Sequence, residues 1–180
     1  MLRRTLALSL VVVLACSLFF AVDIKPASAS ANQIYWGAWV GSSHIGNYNI
    51  LQTFESTVGK DVSIWDWIQL WNRPQDSDNI PTFDTAQMNE ARNAGIIPMV
   101  SWAPELGDPN DAFTGLQSIV NGAEDSYLTA WGQASAAWGH PYFIRLMWEF
   151  TGSWSDCYPF ANGNTALLFV QAWQHIGKRG

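Results

Sequence analysis

Apolar segments typical of β-strands alternate with segments typical of amphipathic helices along most of this chain. Each strand-like segment is rich in aromatic or β-branched residues, and a helical segment follows it. Strands that alternate with helices form parallel sheets with right-handed crossovers, so the sequence predicts the α/β class. The predicted strands are 34–40, 62–70, 96–102 and 142–148, and the predicted helices are 49–58, 83–94, 125–137 and 165–176, the last with Asn164 as its N-cap.

Four strand-then-helix units amount to half of a (β/α)₈ barrel. A complete barrel typically needs about 250 residues, whereas residues 32–180 number 149 and end just after a predicted helix. The sequence therefore predicts the N-terminal half of a truncated barrel, with open sheet edges through which two halves can self-associate. A complete small doubly wound sheet is the alternative, but no Gly-rich phosphate loop follows any predicted strand.

The first 31 residues have the pattern of a secretory signal peptide. Arg3 and Arg4 precede the apolar run 6–22, and residues 27–29 and 29–31 both read Ala-Ser-Ala, the small-residue pattern of a cleavage site. A lipoprotein site at Cys16 is an alternative that fits less well, because the apolar run continues past it. We expect residues 32–180 to form the mature domain, secreted to the extracellular space and free of the membrane once the signal is removed.

The charge and aromatic content of the mature part narrow the class of partner. Without the signal, 6 basic and 14 acidic side chains remain, a net charge of −8 with no basic cluster, so nucleic acid is not an expected partner. All 11 Trp residues lie after the signal. Flat aromatic rings beside acidic groups suit the faces and hydroxyls of sugars, so a polysaccharide or oligosaccharide is the expected partner.

A glutamate stands at the end of the fourth predicted strand. Glu149 follows an almost unbroken apolar run that reads as a strand covered on both faces, and the carboxyl ends of parallel strands are where α/β proteins bind ligands. Trp148 and Trp154 flank it, and removal of water by such rings favours the proton-carrying form of an acid. Cleavage of a glycosidic bond requires such a proton donor. The alternative is a solvated Glu on a loop.

Residues 143–154, FIRLMWEFTGSW, resemble the strand-four signature of glycoside hydrolase family 26, whose best-known members are secreted β-mannanases. Arg145, Glu149, Gly152 and Trp154 fall on matching positions. Trp148 stands where the family usually has His, and residue 151 is Thr where the family usually has Asn. Residues 35–41, 98–105 and 164–176 resemble the family's first strand, third strand and fourth helix, so the resemblance spans most of residues 33–176.

The resemblance implies a retaining endo-β-glycanase that acts on β-mannan or a related polysaccharide such as β-1,3-xylan or mixed-linkage glucan. Glu149 would be the acid/base catalyst, Trp154 a platform for a sugar ring, and Trp148 and Trp102 further walls of the subsites. Glu105 would bind a hydroxyl, or else lie on a solvated loop. The family takes its nucleophile from strand seven, so that carboxylate would be absent from this chain and the chain would be nearly inactive.

Two other interpretations remain open, a non-catalytic carbohydrate-binding protein and a truncated pseudogene product. No cofactor is expected, and His44, His140 and His175 do not have the spacing of metal ligands. Asp66 lies within the second predicted strand, where an acid is costly unless it is paired. Because alternation puts Arg145 on the same face as Glu149, we expect an Asp66–Arg145 pair inside the barrel.

Overall fold

The computed structural model describes residues 34–41, 48–71, 83–104, 115–153, 155, 157–160 and 163–179. From Tyr35 onward these residues belong to one compact unit. The predicted signal peptide lies outside the described residues. No helix within the described ranges is long and apolar enough to cross a bilayer.

The described elements form a single parallel sheet whose strands are connected by helices. The four strands lie in the order β1-β2-β3-β4, and every neighbouring pair is parallel. The strands are β1 Gly37–Trp39, β2 Ile64–Leu70, β3 Ile97–Ala103 and β4 Phe143–Leu146. The helices are α1 Tyr48–Val58, α2 Thr85–Asn93, α3 Leu116–Val120, α4 Asp125–Trp138 and α5 Ala166–Ile176. The predicted α/β class is confirmed, and the sheet is consistent with part of a β/α barrel.

The helix boundaries follow from local capping. The Asp84 carboxylate accepts hydrogen bonds from the backbone N–H groups of residues 86 and 87, both at 3.0 Å, which starts α2. Thr165, rather than the predicted Asn164, caps α5 by accepting from the backbone of Leu168 at 3.1 Å. Asn164 is instead buried, and its amide donates to the carbonyl of Tyr158. The short helix α3 was not predicted, because five residues are too few to show a periodic apolar pattern.

One face of the sheet packs against the helices and forms the core. Side chains at alternate positions of β2 and β3 are buried on this face, among them Trp65, Trp67, Val100 and Trp102. The ring of Trp65 lies 5.7 Å from that of Tyr48 on α1, and the ring of Trp102 lies 4.7 Å from that of Trp131 on α4. Burial of such aromatic side chains is the main force that holds the helices on the sheet.

The other face of the sheet, which we call the open face, is only partly covered. Trp39, Asp66, Met99 and Phe143 occupy one row of paired positions across this face. Trp39 is 52% exposed and Phe143 is 50% exposed. The prediction that the fourth strand is covered on both faces is therefore wrong, because β4 is an edge strand of the described sheet.

Candidate functional site

The turn after β4 places Glu149 at the carboxyl ends of the strands. The strand stops at Leu146 because Met147 adopts a left-handed backbone with φ 45°, and Glu149 repeats this with φ 55°. The buried Met147 is held by its N–H, which donates to the carbonyl of Trp102 at 2.9 Å. Non-glycine residues in this region cost conformational energy and cluster at functional sites. Two of them within three residues mark this turn as a constrained one.

The side chain of Glu149 is exposed to solvent, which differs from the expected removal of water by flanking rings and agrees with the alternative of a solvated Glu. Its carboxyl group is therefore accessible to a ligand. The backbone carbonyl of Glu149 accepts a hydrogen bond from the N–H of Gly152 at 2.6 Å, which closes the turn. Trp148 is half-buried and packs against the core beside it. Trp154 and Glu105 lie outside the described residues. Of the predicted site residues near the end of β4, Glu149 is thus exposed, and its sequence neighbour Trp148 packs against the core.

Trp102 lies on the helix-covered face of β3, away from the open face. It is 2% exposed, and its indole N–H donates to the phenol oxygen of Tyr127 at 3.1 Å. Its ring also packs against Trp71, with centroids 4.8 Å apart. The side chain therefore presents no free ring face to a sugar, which differs from its predicted place in a subsite.

A charged cluster spans three strands on the open face. The Ser101 hydroxyl donates to the carboxylate of Asp66 at 2.8 Å and accepts from the guanidinium of Arg145 at 3.3 Å. A guanidinium nitrogen of Arg145 lies 3.8 Å from the nearer Asp66 oxygen, so the predicted Asp66–Arg145 pair is confirmed. Ser101 was not predicted as its bridging member. Its place between the two charges follows from the register, which aligns it with Arg145.

Burial raises the pKa of Asp66 above its ordinary value, although the hydrogen bond from Ser101 and the charge of Arg145 both oppose this change. The carboxyl side chain is 15% exposed, whereas that of Arg145 is 43% exposed. Because water screens the guanidinium, the ion pair compensates only partly for the desolvation of the carboxylate. The cluster therefore fixes the strands relative to one another and leaves Arg145 in contact with solvent at the open face.

Two exposed aromatic side chains on the open face were not among the predicted site residues. Trp39 ends β1, and Phe143 begins β4 at the opposite edge of the sheet. Both rings leave apolar surface in contact with solvent, where a ligand could pack on them. Strand alternation in residues 37–39 assigns the Trp39 side chain to one face of the sheet. It does not show which of the two faces the helices leave free.

The two histidines that the structure describes take structural positions. His175 on α5 bonds to the carboxylate of Asp125 at the start of α4, and Arg179 contacts the other oxygen of that carboxylate at 2.9 Å. The ring of His140 lies edge-on to Trp138 with centroids 4.9 Å apart. His44 lies outside the described residues. Among the residues that the structure describes, no group of three His, Cys, Asp or Glu side chains could hold a metal ion.

No protein-family model matches this chain. Among curated proteins, it is similar to Endoglucanase H of Acetivibrio thermocellus, with 27% identity over 151 residues. That match covers 78% of this chain and 14% of the endoglucanase. The chain therefore spans about one seventh of the length of the curated relative that it matches.

The burial of Trp102 and the exposure of Trp39 predict losses of stability of different size for the same substitution. Trp102→Ala should lower the free energy of unfolding by about 3 to 5 kcal/mol, because it empties a packed core position. Trp39→Ala should lower it by about 1 kcal/mol or less, since the ring is already half in water. Urea unfolding of both variants measures the two changes in the free energy of unfolding. Equal losses of stability would contradict the assignment of the two faces.

The raised pKa of Asp66 predicts how Asp66→Asn changes the pH dependence of stability. At pH values between about 3.8 and the raised pKa, the folded protein binds more protons than the unfolded chain. The contribution of this carboxyl group to the free energy of unfolding is therefore fully present below pH 3.8 and is lost as pH rises through the raised pKa. The stability of the native protein relative to Asp66→Asn should consequently fall as pH rises through this window.

Urea unfolding at a series of pH values, from acidic to neutral, tests this. Asp61→Asn, at an exposed position before β2, is the charge-matched control. A relative stability of the native protein that rises with pH would show that Ser101 and Arg145 stabilise the carboxylate more than burial destabilises it.

Proposed function

We propose that this chain is part of a glycoside hydrolase in which Glu149 donates the proton to the leaving oxygen of a glycosidic bond. The observation that carries the proposal is the constrained, solvent-facing placement of Glu149 directly after a parallel strand. The distant similarity to an endoglucanase supports a glycoside hydrolase-like function at this general level.

The geometry suits a general acid in two ways. The left-handed backbone at Glu149 and the hydrogen bond from Gly152 to its carbonyl fix the backbone from which the side chain projects, and catalysis by proton transfer depends on positioning. The carboxyl group also meets solvent at the edge of the sheet where α/β enzymes bind their substrates. A bound sugar chain would therefore reach it without rearrangement of the sheet.

A retaining glycosidase needs a second carboxylate about 5 to 5.5 Å from the acid. Glycoside hydrolase family 26, which residues 143–154 resemble, takes that nucleophile from its seventh strand, and the described sheet has four strands. The proposal therefore assigns this chain the proton-donating half of the site. Within it, Trp154 would be the platform for a sugar ring and Trp148 a further wall of the subsite.

The finer proposal is an endo-acting enzyme for β-mannan of the plant type. It rests on the resemblance of Arg145, Glu149, Gly152 and Trp154 to the family 26 pattern. It includes removal of residues 1–31 as a signal peptide and secretion of the mature part. Exposed aromatic rings on the open face are suited to the apolar faces of a polysaccharide.

A second candidate function is binding of carbohydrate without hydrolysis. Two observations favour it. Trp148 occupies the position of the family's usual His, which removes a polar partner from the side of the acid. The exposed aromatic rings of Trp39 and Phe143 would bind a sugar whether or not a second carboxylate is present.

Glu149→Gln separates these functions, because it removes the transferable proton and keeps the size and hydrogen bonding of the side chain. In a full-length enzyme that also carries the nucleophile, turnover of β-mannan should fall by about 10² to 10⁴-fold, the usual contribution of a general acid. Affinity for a manno-oligosaccharide should stay the same. Reducing-sugar release and isothermal titration measure the two quantities.

Glu90→Gln, at an exposed position of α2, is the matched control and should leave turnover unchanged. An aryl glycoside with a good leaving group should lose less activity in Glu149→Gln, because its departure needs little protonation. A loss below about tenfold on the polysaccharide would place the proton donor elsewhere. Binding without hydrolysis by the full-length protein would favour the second candidate.

A further inference from the structure

A cavity of about 510 Å³ lies at the amino ends of β3 and β4, the opposite ends of the strands from Glu149. Ile97 at the start of β3 and Pro141 just before β4 line it, together with Asn93 and Trp138, the last residues of α2 and α4. Sites that bind small molecules usually have volumes of roughly 300 to 1,000 Å³. The cavity is therefore large enough for a ligand.

Trp138 forms an aromatic wall of this cavity. Its indole N–H donates to the side-chain oxygen of Asn89 on α2 at 2.8 Å, which fixes the orientation of the ring. The rings of Phe83, His140 and Tyr142 contact it at interplanar angles of 53°, 89° and 75°, so none of these three rings lies flat on the indole. The half-buried indole therefore presents apolar surface to the cavity, and the C–H groups of a sugar ring can pack on such a surface.

The charges around the cavity favour a neutral ligand over an ion. Arg92 is the one charged side chain among the described residues that line it, and its guanidinium repels cations. The C-terminal ends of α2 and α4 also reach the cavity, through Asn93 and Trp138. Each helix C-terminus carries about half an elementary negative charge, so the two ends together offset about one positive charge and oppose an anion. Their last carbonyl groups lack helical partners and can accept hydrogen bonds from hydroxyl groups.

We propose that this cavity is a second binding site for a neutral polysaccharide, separate from the site around Glu149. A pyranose ring packs on Trp138, while the exposed side chains of Arg92 and Asn93 donate to its oxygens. Its hydroxyl groups donate to the carbonyl groups at the ends of α2 and α4. A purely apolar ligand would leave the guanidinium unpaired, whereas a sugar has an apolar face as well as donors and acceptors.

A second site would hold the protein on a polysaccharide while another stretch of that polysaccharide reaches Glu149. Two linked contacts raise the overall affinity, because the second contact forms at a high effective concentration. The choice of β-mannan as the polysaccharide rests on the proposed function. The sugar site itself rests on the cavity, Trp138 and Arg92.

Titration of the isotope-labelled full-length protein with mannohexaose, followed through backbone amide resonances, tests the site directly. We expect saturable shifts at Gly95, Ile96 and His140, with a dissociation constant different from that of residues 149–152. Shifts at residues 149–152 alone would overturn the second site and leave the proposed function standing. Shifts at Gly95, Ile96 and His140 alone would support the second site and contradict the proposed function. A titration with cellohexaose tests the choice of glycan, and no shift at these three residues with either sugar would overturn the proposal.

Arg92→Ala tests the polar part of the site, with Lys178→Ala, at an exposed position after α5, as the control that removes the same charge. The dissociation constant measured at Gly95 and Ile96 should rise about fivefold or more in Arg92→Ala, because hydrogen bonds from a guanidinium are lost. It should stay unchanged in the control, and the constant measured at residues 149–152 should stay unchanged in both. A folded Arg92→Ala variant that binds as tightly as the native protein would overturn the proposal.

Trp138→Ala tests the aromatic wall and should also weaken binding about fivefold or more, the lower limit for loss of a stacked ring. Trp138→Phe should keep most of the affinity, because an apolar ring remains. Far-UV circular dichroism shows whether each variant keeps its fold, and Arg92→Ala decides the matter if Trp138→Ala unfolds. Unchanged affinity in a folded Trp138→Ala variant would overturn the stacking arrangement.

Ionic strength and a charged probe test the preference for a neutral ligand. Binding of mannohexaose at Gly95 and Ile96 should be the same at low and high salt, because salt screens interactions between charges and this ligand has none. An oligomannuronate of equal length should bind more weakly, since the two helix ends oppose its carboxylates. Tighter binding of the oligomannuronate at these residues would overturn the assignment of a neutral sugar.

Discussion

The structure depends on the packing of aromatic side chains between β2, β3 and the helices. Trp65, Trp67 and Trp102 face the same way because side chains alternate along a strand and the two strands pair in parallel register. Trp131 and Tyr48 meet them from α4 and α1. This layer fixes the helices on one face, and it thereby decides which residues remain available on the open face.

The residues that remain available on the open face and at the strand ends are mainly polar and charged, and the sheet holds them in place. The Asp66–Ser101–Arg145 cluster connects three strands across the open face, and the turn after β4 presents Glu149 at their carboxyl ends. The turn is itself joined to the sheet, since the N–H of Met147 donates to the carbonyl of Trp102. Core packing at Trp102 and the position of the candidate acid are therefore mechanically connected.

Apolar periodicity and the residues that begin or end helices predicted the order of strands and helices, because that order depends on local sequence patterns. The Asp66–Arg145 pair was also predictable, since a buried acid needs a partner and alternation placed Arg145 on one face. The face of Trp102 was not, because it depends on the register of β3 with β2, which a one-residue shift would reverse. The left-handed backbone at Met147 and Glu149 was not predictable either, because glycine is the usual sequence signal for this conformation and neither residue is glycine.

The central claim is that ligands bind at the carboxyl ends of the strands, around Glu149. The most direct measurement is nuclear magnetic resonance mapping of backbone amides during titration with a β-1,4-linked manno-oligosaccharide. The account predicts shifts at Gly41, at Trp71 and in residues 149–152, which follow β1, β2 and β4. Shifts confined to residues 61–63, Ile96 and 139–140, at the opposite ends of the strands, would contradict it.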